Sequence, residues 1–348
     1  MSKKRDGKLS VEEKIALLQR NSAEIISVEE LRKLLQEKKK PAVYIGTAIT
    51  GRPHIAYFLW ILKLTDFLKA GFSVKILLAD VHGALDNTPW NVLEKRYQYY
   101  KECIPALLRV AGADLKNLEI VKGSSFQFTK DYVHDLLKLS TFVSVHDAKK
   151  AASDVVKNVE EEQAKLSGLV YPLMQALDEE YLRVDVQYGG IDQRKILVFA
   201  RENLPKLGYK PRIEFMTPLI PSLVEGGKMS ASNEASKIDL LDSDEEIKKK
   251  INRAYCMEGE PHNGVMAFLR YVVMVLKTDR KELFVVKRDK KFGGDVNYKN
   301  YEEIEKDFIA KKLHPMDLKR AFAEEIIFLL KGLDKKKLEK LAKEAYGE

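Results

Sequence analysis

Cysteine is nearly absent from this sequence. Cys103 and Cys256 are the only two among 348 residues. They lie far apart, so neither a disulfide framework nor a thiolate zinc site is suggested, and a reducing compartment fits. Histidine is scarce too: six, scattered, without metal-ligand spacing. No metal site is expected. Long apolar segments are interrupted by charge and fall short of a bilayer span. The first eight residues are basic but no apolar stretch follows them, so no secretory signal is read. Internal repeats and long low-complexity tracts are also missing. The expectation is a soluble, cytoplasmic chain with no membrane contact.

What is present supports a folded enzyme-sized protein. Hydrophobic residues make up 45%, enough for a sizeable core. The length suits one large domain and a smaller one. Net charge is +8 and the isoelectric point is near 9.0. That fits a phosphate-rich partner, although many basic proteins bind no nucleic acid.

Periodicity orders the chain. Apolar spacing from Leu9 to Gln36 predicts two amphipathic helices. Ala42–Ile49 reads as a strand, His54–Ala70 as a helix stopped at Gly71, and Val74–Ala79 as a buried strand. Strand, turn, helix, strand is a βαβ unit, which implies a parallel sheet. The pattern continues with a helix at Trp90–Val110 kinked at Pro105, and a strand at Leu118–Val121. Helices follow over Asp131–Val156, then a strand at Val184–Tyr188, a helix at Ile191–Leu207 and a strand at Arg212–Met216. Pro218, Pro221, Gly226 and Gly227 mark a loop region. From about Ser243 the chain reads as helical and Lys-rich. The fold class expected is α/β: a Rossmann-like, doubly wound parallel sheet over 41–235, with a helical insertion at about 100–180. A helical extension precedes it at 1–40, and an all-helical domain follows at 236–348.

Two short stretches carry phosphate chemistry. Pro53-His54-Ile55-Ala56-Tyr57 follows the first strand, where a helix start aims N–H groups and a favourable dipole at anions. Gly46 and Gly51 allow close approach there. His54 is placed to donate to a phosphate oxygen; the plain alternative is a βα loop with a stray histidine. Gly227-Lys228-Met229-Ser230-Ala231-Ser232 supplies a lysine and two hydroxyls. It departs from a P-loop at Ser222 and Met229, and alone it is equally a surface loop. Closing over a triphosphate would bring Lys228 to charge that develops in a transition state. The two stretches are 174 residues apart, and a parallel sheet can return both to the carboxyl ends of its strands.

A third group lies on one helix face. Tyr171, Gln175 and Asp178 stand at i, i+4 and i+7. Pro172 suits a first helical position with Tyr171 as its cap. The three could form a plain solvent face. Tyr44, Gln187, Asp192 and Gln193 on neighbouring elements add further polar groups. Tyr171, Gln175 and Gln193 suit an ammonium, and Asp178 with Tyr44 suits a hydroxyl.

Five segments together give a specific likeness: Tyr44-Ile45-Gly46-Thr47, Pro53–Tyr57, Tyr171–Asp178, Gly189–Lys195 and Gly227–Ser232. The chain resembles the tyrosyl-tRNA synthetases of archaeal and eukaryotic type, class I aminoacyl-tRNA synthetases, from about Leu31 to about Leu330. The resemblance implies that Tyr44, Tyr171, Gln175, Asp178 and Gln193 hold tyrosine, with Asp178 and Tyr44 on the phenol hydroxyl. It implies that Gly46, Thr47, His54, Tyr57, Gly190, Asp192, Lys228 and Met229 handle ATP, and that His54, Lys228, Ser230 and Ser232 serve the chemistry. Two departures stand out. Ala231 occupies a position where relatives often carry a second lysine, and Ala56-Tyr57 replaces a more usual Gly-His. A site that binds a hydroxyl rejects the analogue lacking it, because buried polar groups are left unpaired; tyrosyl-tRNA synthetases are themselves the standard example of that rule.

By the same resemblance the helical domain reads the anticodon. Phe292 is available to stack on an unpaired base and Asp317 to accept from a base edge, though Asp317 also suits a helix start. Arg194, Lys149 and Lys150 match positions near the tRNA acceptor end, and other lysines would contact phosphates. Implied partners are tRNA(Tyr), L-tyrosine, ATP with Mg2+, and a second copy of the chain. Two other readings remain open at this point: the sister enzyme for tryptophan, and a non-catalytic tRNA-binding relative.

Overall fold

The apolar runs at Ala42–Thr47 (β2) and Ser73–Leu78 (β3) pair as parallel strands. Val74, Ile76 and Leu78 have no exposed surface, as strands covered on both faces require. The computed structural model describes residues 9–156, 159, 165–227, 229 and 237–347. Leu118–Lys122 (β4), Val186–Gly190 (β5) and Ile213–Thr217 (β6) complete the parallel set. One strand falls outside the periodicity reading: Glu24–Ile26 (β1) lies between the two N-terminal helices, Val11–Gln19 and Val28–Glu37. Three residues are too few to display alternation. Antiparallel pairing with β6 is what makes β1 a strand.

The sheet order is β1-β6-β5-β2-β3-β4. The order reverses between β2 and β5, and a crevice at the carboxyl ends of strands forms where such a reversal occurs. The helices Lys130–Ser140, Val145–Ala152, Leu166–Tyr181 and Arg194–Asn203 share one buried cluster that includes Tyr132, Leu139, Leu173, Leu177, Ile196 and Phe199. These elements lie in the first of two compact units: residues up to Thr50, Lys63–Lys101 and Ala113–Leu219.

One detail of this unit differs from expectation. The helix carrying Tyr171 begins at Leu166, so Pro172 lies inside it and Tyr171 is not its cap. Burial of Leu173, Met174, Ala176 and Leu177 along one side holds the helix through the proline. The N-terminal helix is anchored by Lys63, which is 2% exposed and donates to Leu18 O at 2.8 Å. Lys63 also meets the Asp66 carboxylate at 3.4 Å. Burial lowers the Lys63 ammonium to about 8 against that attraction.

The second unit comprises Gly51–Leu62, Glu102–Gly112 and the chain from Ile220 onward. Its main helices are Asp244–Arg253, Tyr301–Ile309, Pro315–Leu330 and Lys335–Tyr346. Ser243 starts the first with a reciprocal capping box to Glu246. This region was expected to be wholly helical, but it carries a two-stranded antiparallel sheet. Phe284–Val286 (β7) pairs with Val296–Tyr298 (β8). The β-branched valines favour strands, and the intervening Gly293 and Gly294 take the left-handed conformation, φ +94° and +74°, that reverses the chain.

Candidate active site

Gly46 and Thr47 end β2, and Gly189 and Gly190 end β5, the two strands at the reversal. Gly46 keeps a φ outside the left-handed region, so its value is an absent side chain and not a special dihedral. Gly189 and Gly190 are needed for close approach. A Cβ on Gly189 would lie 2.9 Å from Gln193 Oε1, and one on Gly190 would lie 2.5 Å from Asp192 Oδ1. The Ile191–Gln193 turn thus folds its polar side chains back over bare backbone.

Of the residues expected to hold an amino acid, Tyr44, Gln175 and Gln193 are joined by hydrogen bonds. Gln175 Nε2 donates to Gln193 Oε1 at 3.0 Å. The Tyr44 hydroxyl, on a residue 1% exposed, donates to the Gln175 carbonyl at 3.2 Å. The Tyr171 ring packs edge-on against His82, with centroids 4.6 Å apart. Asp178 is fully buried. Its Oδ1 accepts from Gln127 Nε2 at 2.8 Å and from the Tyr132 hydroxyl at 2.9 Å. Its Oδ2 has no hydrogen-bond partner among the described residues. A buried acceptor of that kind is costly unless a donor arrives.

Gln127, Tyr132 and His82 were missed by the sequence reading. Gln127 lies 51 residues from Asp178 and Tyr132 lies 46 away. One signal existed: Gln127 closely follows the carboxyl end of β4, where ligand residues gather in parallel sheets. The loop that presents it is pinned by Asp80, which accepts from Ser124 N at 2.8 Å and Ser124 Oγ at 2.6 Å. A side chain on Gly123 would place its Cβ 2.5 Å from Gln127 Oε1. Burial takes the His82 imidazole down to about 4, so it is neutral at pH 7. Its Nε2 stands 3.8 Å from Asp178 Oδ2, too far for a hydrogen bond.

In the second unit the segment around His54 is tied to residues 238–239. His54 forms an antiparallel bridge with Asp239, and Ile55 N donates to Ile238 O at 3.0 Å. Arg52 Nε meets the buried Asp239 carboxylate at 2.6 Å. The chain just beyond the lysine loop is therefore fastened beside His54. Tyr57 starts the helix Tyr57–Lys69 and packs edge-on against the His54 ring at 5.4 Å. Met229 is buried, and its N–H reaches Ile220 O at 3.2 Å. Lys228, Ser230 and Ser232 lie outside the described residues.

The residues expected to face nucleic acid are spread more widely. Arg194 opens its helix and makes a bidentate pair with Glu24 at 2.7 and 2.9 Å. Lys149 and Lys150 sit in the last turn of the Val145–Ala152 helix, which packs against the Arg194 helix. Phe292 is 62% exposed with Lys291 Nζ 4.9 Å from its ring centre. Asp317, by contrast, is only 7% exposed and its carboxylate is engaged by Arg320.

Burial pushes the Asp178 carboxyl up to about 8, against Gln127 and Tyr132, which pull it down. The folded chain then holds a proton that the unfolded chain releases near about pH 4. That contribution to stability is full below about pH 4 and is lost as pH rises toward 8. Asp178→Asn keeps an acceptor oxygen and cannot ionise. Its melting temperature, relative to the parent, is expected to rise by several degrees between pH 5 and pH 8. A constant difference across that range would contradict the raised carboxyl.

Comparison with known proteins shows the family. A family model described as tRNA synthetases class I (W and Y) matches residues 36–331. The cytoplasmic tyrosine–tRNA ligase of Danio rerio is 48% identical over 347 residues, covering 98% of this chain and 64% of the relative. That of Saccharomyces cerevisiae is 47% identical over 330 residues, covering 92% and 83%. The crystal structure of tyrosyl-tRNA synthetase complexed with L-tyrosine from Archaeoglobus fulgidus superposes with a TM-score of 0.86 at 38% identity, covering 94% and 99%. The chain thus spans just under two thirds of the length of the vertebrate relatives it matches. It belongs to the class I tRNA synthetases of the tryptophan and tyrosine family.

Proposed function

We propose that the chain is a tyrosine–tRNA ligase, activating L-tyrosine with ATP and esterifying the 3′ end of tRNA(Tyr). The observation that carries this reading is the unpartnered Asp178 Oδ2, buried behind Gln175 and Tyr44. A phenol hydroxyl donates to it where phenylalanine has nothing to offer. Tyr171, Gln175 and Gln193 receive the ammonium, and the Gln175–Gln193 bond fixes both amides beforehand. The names of the relatives, and the tyrosine bound in the Archaeoglobus fulgidus protein, support the same choice.

The tyrosine carboxylate attacks the α-phosphorus of ATP, and pyrophosphate leaves. A terminal ribose hydroxyl of the tRNA then attacks the adenylate carbonyl, and AMP leaves. Both steps need placement and charge stabilisation more than a strong base. Gly46, Thr47, Gly190 and Asp192 receive the nucleotide, Tyr57 and Met229 back the phosphate segments, and magnesium arrives on the triphosphate. His54 and Lys228 meet the charge on the transferring phosphorus, with Ser230 and Ser232 beside them; the loop residues are assigned on the motif alone. Phe292 and Asp317 are assigned to the anticodon, the latter once Arg320 lets go. Arg194, Lys149 and Lys150 are assigned to the acceptor end. Placement in the cytoplasm is proposed from the names of the relatives and is checked by cell fractionation; recovery in an organelle alone opposes it.

Pyrophosphate exchange with each of the twenty amino acids is expected to respond to tyrosine alone. A response to tryptophan without tyrosine selects the sister activity. Retained tRNA binding with no exchange indicates a non-catalytic relative. Lys228→Ala is expected to lower kcat by about 10²–10³, and near-normal exchange removes the loop from the mechanism.

A homodimer is proposed through the helix Lys130–Ser140, on which Val133 (40% exposed) and Leu137 (64%) lie one turn apart near Phe142 (44%). Exposed apolar residues grouped in this way mark contact surfaces. Sedimentation equilibrium should give twice the 39.8 kDa chain mass, and Leu137→Glu should return the single-chain mass. A monomeric parent sinks the proposal.

A further inference from the structure

The wall behind the amino-acid pocket holds more buried acid than the reaction uses. Gln175, Asp178, Glu179 and Leu182 recur at helical spacing and so share one face of the Leu166–Tyr181 segment and its C-cap. On the sheet, Tyr44, Gln187 and Glu214 are lateral partners on β2, β5 and β6, and such partners point to the same side. Glu179 and Glu214 are both 0% exposed. None of their four carboxylate oxygens has a hydrogen-bond partner among the described residues, and Gln187 Oε1 has none either.

Six acceptor oxygens, counting Asp178 Oδ2, thus stand buried without donors. Cations do not satisfy them. The charges that act on the two glutamates are Arg201, Arg212, Asp178 and Glu30, and Tyr44 feels Asp178 and both glutamates together. Arg201 is committed to Glu30 and the Arg212 carbonyl. Arg212 is committed to Glu180, the Lys210 carbonyl and Val184 O. Among the described residues no group of three His, Cys, Asp or Glu could hold a metal ion. Buried carboxylates left in this state are far too costly to remain ionised.

We propose that Glu179 and Glu214 are a proton-holding acid pair that positions the pocket from behind, adding no charge beside Asp178. A protonated Glu214 has an O–H to give Gln187 Oε1, its neighbour in register, or Glu179. Either bond removes orphan acceptors without importing charge. Charge on either would act on Tyr44 and on Asp178, the group proposed to receive the phenol hydroxyl. As neutral acids they leave that field unchanged. Burial first, and then repulsion from neighbouring carboxyls, raises both glutamates well above the ordinary range, with Arg201 and Arg212 opposing. Glu179 and Glu214 are positioning residues, acting through Asp178, Gln187 and Tyr44. This role rests on the tyrosine reading, whereas the proton itself does not.

The test uses the whole chain with Glu179→Gln and Glu214→Gln, each a neutral replacement of matching shape. Infrared spectra at pH 7 resolve the C=O stretch of protonated carboxyls from the carboxylate bands. The parent is expected to show that acid band, and each variant to show less of it, whether or not the chain has activity. Tyrosine KM in pyrophosphate exchange is expected to move by less than about threefold at unchanged kcat. The proposal is overturned if both variants keep the full acid band. It is also overturned if either raises tyrosine KM by about tenfold or more with kcat intact, since the charge itself would then be in use. If the parent lacks tyrosine exchange altogether, the activity reading fails, and the acid band still decides the proton pair.

Discussion

A carboxyl group cannot lie in a protein core without donors or a proton of its own, and Asp178 sets that condition for this fold. Two donors reach its Oδ1 from Gln127 and Tyr132. Meeting them requires the end of β4 and the helix Lys130–Ser140 to close over the Leu166–Tyr181 helix. Tyr132 also donates to the Met174 carbonyl at 2.9 Å, so one phenol grips the helix backbone and its acid together. Asp80 in turn holds the turn that presents Gln127. The second oxygen has no hydrogen-bond partner among the described residues. On the proposed reading, specificity follows from that buried oxygen, since a ligand lacking a polar partner leaves it unpaired.

The segment around His54 is organised separately, in the second unit. There the Arg52–Asp239 ion pair and the His54–Asp239 bridge join chain segments 187 and 185 residues apart. Asp239 is fully buried and also caps its own turn through Leu241 N at 3.0 Å. These contacts fix the chain at residues 238–239 against the segment 52–55. Ala231, standing where a second lysine is common, concentrates the loop's charge on Lys228.

Much of the pocket was legible from local spacing. Tyr171, Gln175 and Asp178 declare a shared helix face through i, i+4 and i+7, and the likeness to a known family gave that face a ligand. The parallel sheet was legible from apolar runs broken by Gly and Pro. Four features resisted for identifiable reasons. Gln127 and Tyr132 meet Asp178 only through tertiary packing. Glu179 looks like an ordinary helical surface residue by local spacing, and only tertiary packing buries it completely. β1 is too short to show a period. Pro172 signals a helix start by local rule, and core packing around Leu173 and Leu177 overrides it.

The most direct measurement is calorimetric titration of L-tyrosine and L-phenylalanine into the unmodified chain at pH 7 in the absence of ATP. If Asp178 reads the hydroxyl, tyrosine binds and phenylalanine is weaker by at least about 10²-fold, the cost of leaving buried polar groups unpaired. Equal binding of the two amino acids would contradict that role for Asp178 and with it the organisation of the pocket.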